Sequence, residues 1–227
     1  MESEGVAPHE IVTTENRHVP VAAVFVHGLW LNGAEFTLLR RRLVRQHGIA
    51  CYRFSYPTVR GSMEEAVGRL ARFVDRLDAE RVHFVGHSFG GVLLCRYFQK
   101  HPCPRPGRVV ILGSPLTGSR SARTVARNGL MRRMIGPLVN AELVKDCEPR
   151  AWACQNELGV IAGTTAMGLG RLFTRFDEDF DGTVGVSETK LPGLKAHLTL
   201  PVSHMGMLFS ARVARQVGAF LETGRFE

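Results

Sequence analysis

The stretch "RVHFVGHSFGGVLL", residues 81–94, decides the fold. An apolar run ends in Gly86-His87-Ser88-Phe89-Gly90, and a second apolar run with helical character follows. A G-x-S-x-G segment with a strand before it and a helix after it folds as a strained strand-to-helix turn. Small residues two before and two after the serine avoid collision across so sharp a bend, and Gly91 lets the helix approach closer still. The serine oxygen then projects past the end of the strand. The helix behind it begins with N–H groups free to face developing negative charge. An ordinary serine in a glycine-rich loop is the alternative, so the rest of the chain must supply a base, an acid and oxyanion donors.

Working outward, further short apolar runs read as strands: 21–26, 49–54, 108–113, 158–163 and 197–202, beside 82–86 itself. Amphipathic segments lie between them. "SMEEAVGRLARFVDRL" opens with Ser62 and Glu65 as a capping box and carries Met63, Val67, Leu70, Val74 and Leu77 at the helical period. "AEFTLLRRRLVRQHG" places Phe36, Leu39 and Leu43 on one face and stops at Gly48. A last helix begins near Ser210, with Val213, Val217 and Phe220 on one side. Strands alternating with helices predict an α/β fold, a mainly parallel sheet with helices on both faces, built as one domain over 1–227.

In such sheets sites form beyond the carboxyl ends of the strands. "VFVHGLW" offers an oxyanion donor there, the Leu29 amide after His27-Gly28, and Phe89 N–H supplies the second. The acid is expected after the 158–163 strand, where Asp177, Asp179 and Asp181 compete. Asp181 is favoured, because the Gly182-Thr183-Val184 turn can fold its carboxylate back toward the sheet; Asp179 is next. The base is expected after the last strand, where His204 follows Pro201. His197 lies at the wrong end of that strand, and His87, inside the elbow, is too constrained to swing onto Ser88. Trp30, Phe89, Trp152 and Met205 are candidates for an acyl pocket, with core packing as the alternative for each.

The 227-residue chain carries a formal net charge of +8, mostly through arginine. No nucleic-acid motif accompanies that charge, and the arginines are not interleaved with aromatics. The five cysteines, 51, 95, 103, 147 and 154, fit no zinc spacing and read as reduced, structural thiols. No apolar run is long enough to span a bilayer, and the first twenty residues show no basic leader or apolar stretch. A cytoplasmic protein is the expectation.

Residues 115–155 break the strand–helix rhythm. Val125, Leu130, Met131, Met134 and Ile135 mix there with Arg120, Arg123, Arg127, Arg132 and Arg133. That pattern suits a short helical cap over the site, cationic face outward, with Met131 and Met134 toward an acyl chain and a weak tendency to sit on anionic lipid surfaces. A solvated helix pair packed on the sheet fits the pattern equally well.

With these residues in place, the sequence resembles the α/β-hydrolase superfamily, specifically small bacterial lipases and esterases. The resemblance runs from "VFVHGLW" through "GHSFGG" and "DFDGTV" to "SHMGMLFS". "GSPLTGS" at 113–119 resembles a G-T-P-H-x-G-S segment of such lipases, with Leu116 in place of the histidine. The resemblance implies hydrolysis of a small-molecule ester or lipid. Ser88 would attack, His204 would take its proton, Asp181 would orient the imidazole, and no metal or organic cofactor would be needed. Acyl transfer to another acceptor, or thioester cleavage, would use the same acyl enzyme. A non-catalytic binding module on the same fold is the remaining alternative.

Overall fold

The computed structural model describes residues 18–101, 105–144, 150–167 and 176–227. Six strands form one sheet in the order β2-β1-β3-β4-β5-β6, all parallel. They are β1 (Val19–Val26), β2 (Ala50–Phe54), β3 (Ala79–His87), β4 (Arg108–Leu112), β5 (Glu157–Gly163) and β6 (Ala196–Leu200). The helices flanking them are α1 (Thr37–His47), α2 (Met63–Asp75), α3 (Phe89–Lys100) and the last helix, α6 (Ala211–Thr223).

The central strands read as continuous apolar runs because both of their faces are covered. Ala22, Val24 and Val26 of β1 join Val67, Leu70, Val74 and Val92 from α2 and α3. Ala23 and Phe25 join Leu39, Leu43, Val213, Val217 and Phe220 from α1 and α6 on the other face. Each of these fully buried large side chains is worth about 1.5–3 kcal/mol relative to exposure. The chain leaves β1 toward one sheet edge and β3 toward the other, with α1 and α3 on opposite faces. The crevice between the ends of β1 and β3 is therefore a topological switch point, where α/β sheets place their ligands.

Local signals hold where they were read. Ser62 N–H donates to Glu65 Oε2 at 2.9 Å and Glu65 N–H to Ser62 Oγ at 3.2 Å, a complete capping box. Gly48 closes α1 in the left-handed conformation, φ 64°. The sixth strand, however, stops at Leu200 rather than residue 202. Pro201 has no N–H for a ladder, and Val202 N–H turns back to the Leu200 carbonyl at 2.8 Å.

The 115–155 segment does form helices of its own: α4 (Arg120–Ala126), α5 (Gly129–Val139) and a π-turn, Asn140–Val144. Its apolar face is not the one the sequence pattern suggests. Gly136 kinks α5 with φ 78°, and a side chain there would run into the Val59 backbone. The kink turns Ile135, Leu138 and Val139 into the core, while Leu130 and Met134 remain 72% and 53% exposed. Nor is Arg120 part of an outward cationic face. Its guanidinium pairs with Glu178 and lies 4.6 Å from the Phe176 ring centre, and its N–H donates to Glu188 Oε1 at 2.6 Å.

Among the described residues no helix is long and apolar enough to cross a membrane. Cys51, Cys95 and Cys154 are free thiols, the first two buried, with burial pushing each of those up to about 12.

Candidate active site

Ser88 stands between β3 and α3 with φ 53° and ψ −124°, a conformation that costs a non-glycine residue about 1–3 kcal/mol. The surroundings enforce it. Ser88 N–H donates to the Leu112 carbonyl at 2.9 Å, its own carbonyl accepts from Gly91 N–H at 3.0 Å, and α3 starts at the next residue. A side chain at Gly90 would collide with the Val26 and His27 carbonyls. A Cβ on Gly28 would stand 2.9 Å from Ser88 Cβ and 3.4 Å from Ser88 Oγ. The loop after β1 therefore lies directly against the serine.

His27 shapes that loop. Its Nδ1–H donates to the Gly28 carbonyl at 2.9 Å, and its Nε2 accepts from Tyr56 N–H at 3.2 Å. The Tyr56 hydroxyl returns to the His27 carbonyl at 3.0 Å, and the two rings stack at 4.6 Å. Burial pushes the His27 imidazole down to about 4, so it stays neutral. Leu29 follows on this braced turn, and Phe89 N–H opens α3, where helix amides have no intrahelical acceptor.

Asp181 and His204 come together. The carboxylate is 1% exposed and its Oδ2 accepts from His204 Nδ1 at 2.7 Å. Its Oδ1 accepts from Thr183 N–H at 2.9 Å and Val184 N–H at 2.8 Å, so the turn itself aims the other oxygen at the imidazole. Gly182 supplies the φ of 100° that this turn requires, and a Phe180–Gly185 bridge closes it. Gly113, which directly follows the strand whose Leu112 carbonyl binds Ser88 N–H, lies under Asp181 Oδ2: a Cβ there would be 2.8 Å away. Asp177 and Asp179 are exposed. His197, at the start of β6, bonds Thr189 Oγ1 at 2.8 Å.

A model of the alpha/beta hydrolase family matches residues 23–216. The chain belongs to the alpha/beta hydrolase family. No curated protein matches it significantly in sequence. Among solved structures, it is similar to the mature lipase BlEst2 of Bacillus licheniformis, with a TM-score of 0.65 at 16% identity over 94% of each chain. It is also similar to carboxylesterase CesB of Bacillus subtilis, TM-score 0.58 at 13% identity over 91% of this chain and 85% of that one. Phospholipase PlaB of Legionella pneumophila, in complex with thio-NAD, gives 0.64 at 15% identity, covering 87% and 56%. At such identities the likeness shows the fold alone, and the chemistry has to be argued from the residues.

Around this hydrolase's serine the pocket candidates separate. Trp30 is 60% exposed with φ 61°, pinned by its N–H to Thr58 Oγ1 at 3.1 Å and by Nε1 to the Met134 carbonyl at 3.3 Å. That second bond brings α5 to the loop beside Ser88. Met131 is half-buried and Met205, next to His204, is partly exposed. The Phe89 and Trp152 side chains are core instead. Trp152 packs on Phe98 at 5.0 Å and donates to the Asn156 carbonyl at 2.6 Å, just before β5, the opposite end of the sheet from Ser88.

Sequence reasoning missed the ties between the 115–155 segment and the Asp181 turn. Ser121 Oγ donates to the Thr183 carbonyl at 2.6 Å, and Glu188 binds Arg120 N–H with one oxygen and Gly185 N–H with the other. At the far end of the segment, buried Arg150 donates to the Leu116 carbonyl at 2.8 Å and to Glu142 Oε2 at 2.9 Å. A Ser119 N-cap on α4 was the one local signal available for any of this. A separate cleft of about 580 Å³, bordered by Arg81, His83, Arg105 and Arg108, opens at the other end of the sheet. Two of these guanidiniums are engaged by protein groups: Arg108 with Glu157 at 2.6 Å, Arg105 with the Leu77 carbonyl at 2.6 Å.

Proposed function

We propose that this chain is a serine hydrolase of carboxylic esters in which Ser88, His204 and Asp181 act as a triad. The observation that carries the reading is the buried Asp181–His204 hydrogen bond at the sheet end where the strained Ser88 turn sits. Ser88 Oγ attacks the acyl carbonyl while His204 Nε2 takes its proton, and Asp181 holds the imidazolium that forms. The Leu29 and Phe89 amides receive the oxyanion. Collapse expels the alcohol, which takes the proton back from His204. Water, activated by the same imidazole, then releases the acid.

Trp30, Met131, Met134 and Met205 make an apolar rim suited to an acyl chain, with the 115–155 segment as its cap. Exposed Leu130 and Met134 alternate with exposed Arg132 and Arg133, an edge suited to weak contact with anionic lipid.

Burst release of p-nitrophenol from an activated ester tests acylation directly. A fluorophosphonate should label the wild type once, on the peptide containing Ser88, and Ser88→Ala should lower turnover by at least about 10³-fold. Labelling at another residue, or near-normal turnover in the alanine variant, would remove the reading.

A further inference from the structure

Among the described residues, His87 is the one fully buried imidazole that touches His204. Alternation along β3 puts its side chain on the face of Val85, toward α1 and α6, while Ser88 leaves the strand. There its ring lies 4.7 Å from the His204 ring, tilted by 43°, and meets the Phe36 edge at 6.3 Å. Its Nε2 is 3.0 Å from the His204 carbonyl oxygen. A carbonyl only accepts, so Nε2 carries the proton. Nδ1 then holds a lone pair, and it is buried with no partner.

We infer that His87 is a positioning residue, a neutral Nε2–H donor that fixes the His204 backbone and so aims its ring at Ser88. The inference rests on the proposed role of His204 as base. His204 sits on an irregular loop, and its backbone has two polar groups to anchor. Its N–H is taken by the Asp181 carbonyl at 2.8 Å and its carbonyl by His87. His87 is also the covalent neighbour of Ser88. The relative placement of nucleophile and base, 116 residues apart by 204 − 88, thus passes through one peptide link and one hydrogen bond.

Histidine suits the place because its donor carries no charge. Burial pushes the His87 ring well below its ordinary value, and the neighbouring His204 and His27 imidazoles push the same way. A lysine or arginine would set a permanent cation beside the imidazolium that forms on His204 during turnover.

Asparagine and glutamine separate reach from chemistry. The Gln amide nitrogen reaches about as far as histidine Nε2, whereas that of Asn stops near Nδ1, where nothing accepts. With p-nitrophenyl acetate, His87→Gln should keep kcat close to wild type. His87→Asn should lose about 10- to 100-fold in kcat with KM little changed, as expected for a misplaced base. The Asp181–His204 proton, far downfield in the ¹H spectrum, should persist in the Gln variant and broaden in the Asn variant. Equal kcat in the two folded variants, whether both high or both low, overturns the inference. Should His87→Asn not fold, ¹⁵N shifts of the wild-type ring decide: a cationic or Nδ1–H His87 at pH 7 overturns it, and the neutral Nε2–H form supports it. Failure of the underlying reading looks different, since Ser88→Ala would then turn over normally.

Discussion

Asp181 holds His204 twice. Its side-chain Oδ2 takes the imidazole Nδ1–H at 2.7 Å, and its backbone carbonyl takes the His204 N–H at 2.8 Å. Asp181 thereby sets both the tautomer of His204 and the position of the loop carrying it. Asp181→Asn removes the first hold and keeps the second. It should fold normally, lower kcat by up to about 10⁴-fold and leave KM nearly unchanged. Asp179→Asn, at an exposed side chain, should be almost silent. Steady-state kinetics of the two variants check the assignment, and a larger loss at Asp179 would refute it.

The strain at Ser88 gives a prediction about stability. Ser88→Gly and Ser88→Ala should both lack turnover, but glycine tolerates φ 53° and alanine does not. The glycine variant should therefore exceed the alanine variant by about 1 kcal/mol in urea unfolding, on the low side of what such conformations cost. Equal midpoints would mean that the turn stores no strain.

Acid should weaken the fold through its buried histidines. Burial pushes both His27 and His83 down to about 4, and His83 Nδ1 is occupied by the Arg108 N–H at 2.9 Å. Between about pH 6.5 and 4 the unfolded chain binds protons that the folded chain refuses. The contribution of these two histidines should fall as pH drops through that window and level off below about 4. Urea midpoints measured from pH 7 to 4 should show the decline, and His83→Gln should make it shallower. An unchanged slope in that variant would exclude His83 as a contributor.

In the 115–155 segment, exposure separates the proposed pocket residue Met134 from the core residue Ile135. Met134→Ser should shift the preferred acyl length on a graded p-nitrophenyl ester panel with little change in Tm, whereas Ile135→Ser should lower Tm. Identical acyl profiles for Met134→Ser and wild type would leave α5 as a packing element only.

Much of this was legible along the chain because its signals are local. The elbow is written in five consecutive residues, the capping box in four, and the strands in apolar runs that stay apolar because both faces are covered. The Asp181 turn was legible through Gly182, whose left-handed conformation folds the carboxylate back. What escaped depends on partners far away in sequence. His87 gains its role from a carbonyl 117 residues on, by 204 − 87. Arg120 turns inward only because Glu178 and Glu188 arrive from beyond β5. The kink at Gly136 undoes a helical periodicity that assumed an unbroken α5.

The all-parallel sheet has a consequence for how activity arises during folding. Parallel strands cannot be joined by a tight hairpin, so each pairing closes a long loop whose entropy cost must be met before the contact stabilises anything. The first three strands, with Ser88 at the end of the third, lie in the first 88 residues, while Asp181 and His204 follow the last two strands. A chain that has assembled β1, β2 and β3 still lacks α3 and the Leu112 carbonyl that hold the Ser88 turn, and it has neither Asp181 nor His204 beside it. On the proposed triad, turnover therefore requires every one of these long-loop pairings out to β6, whereas the backbone signal accumulates strand by strand.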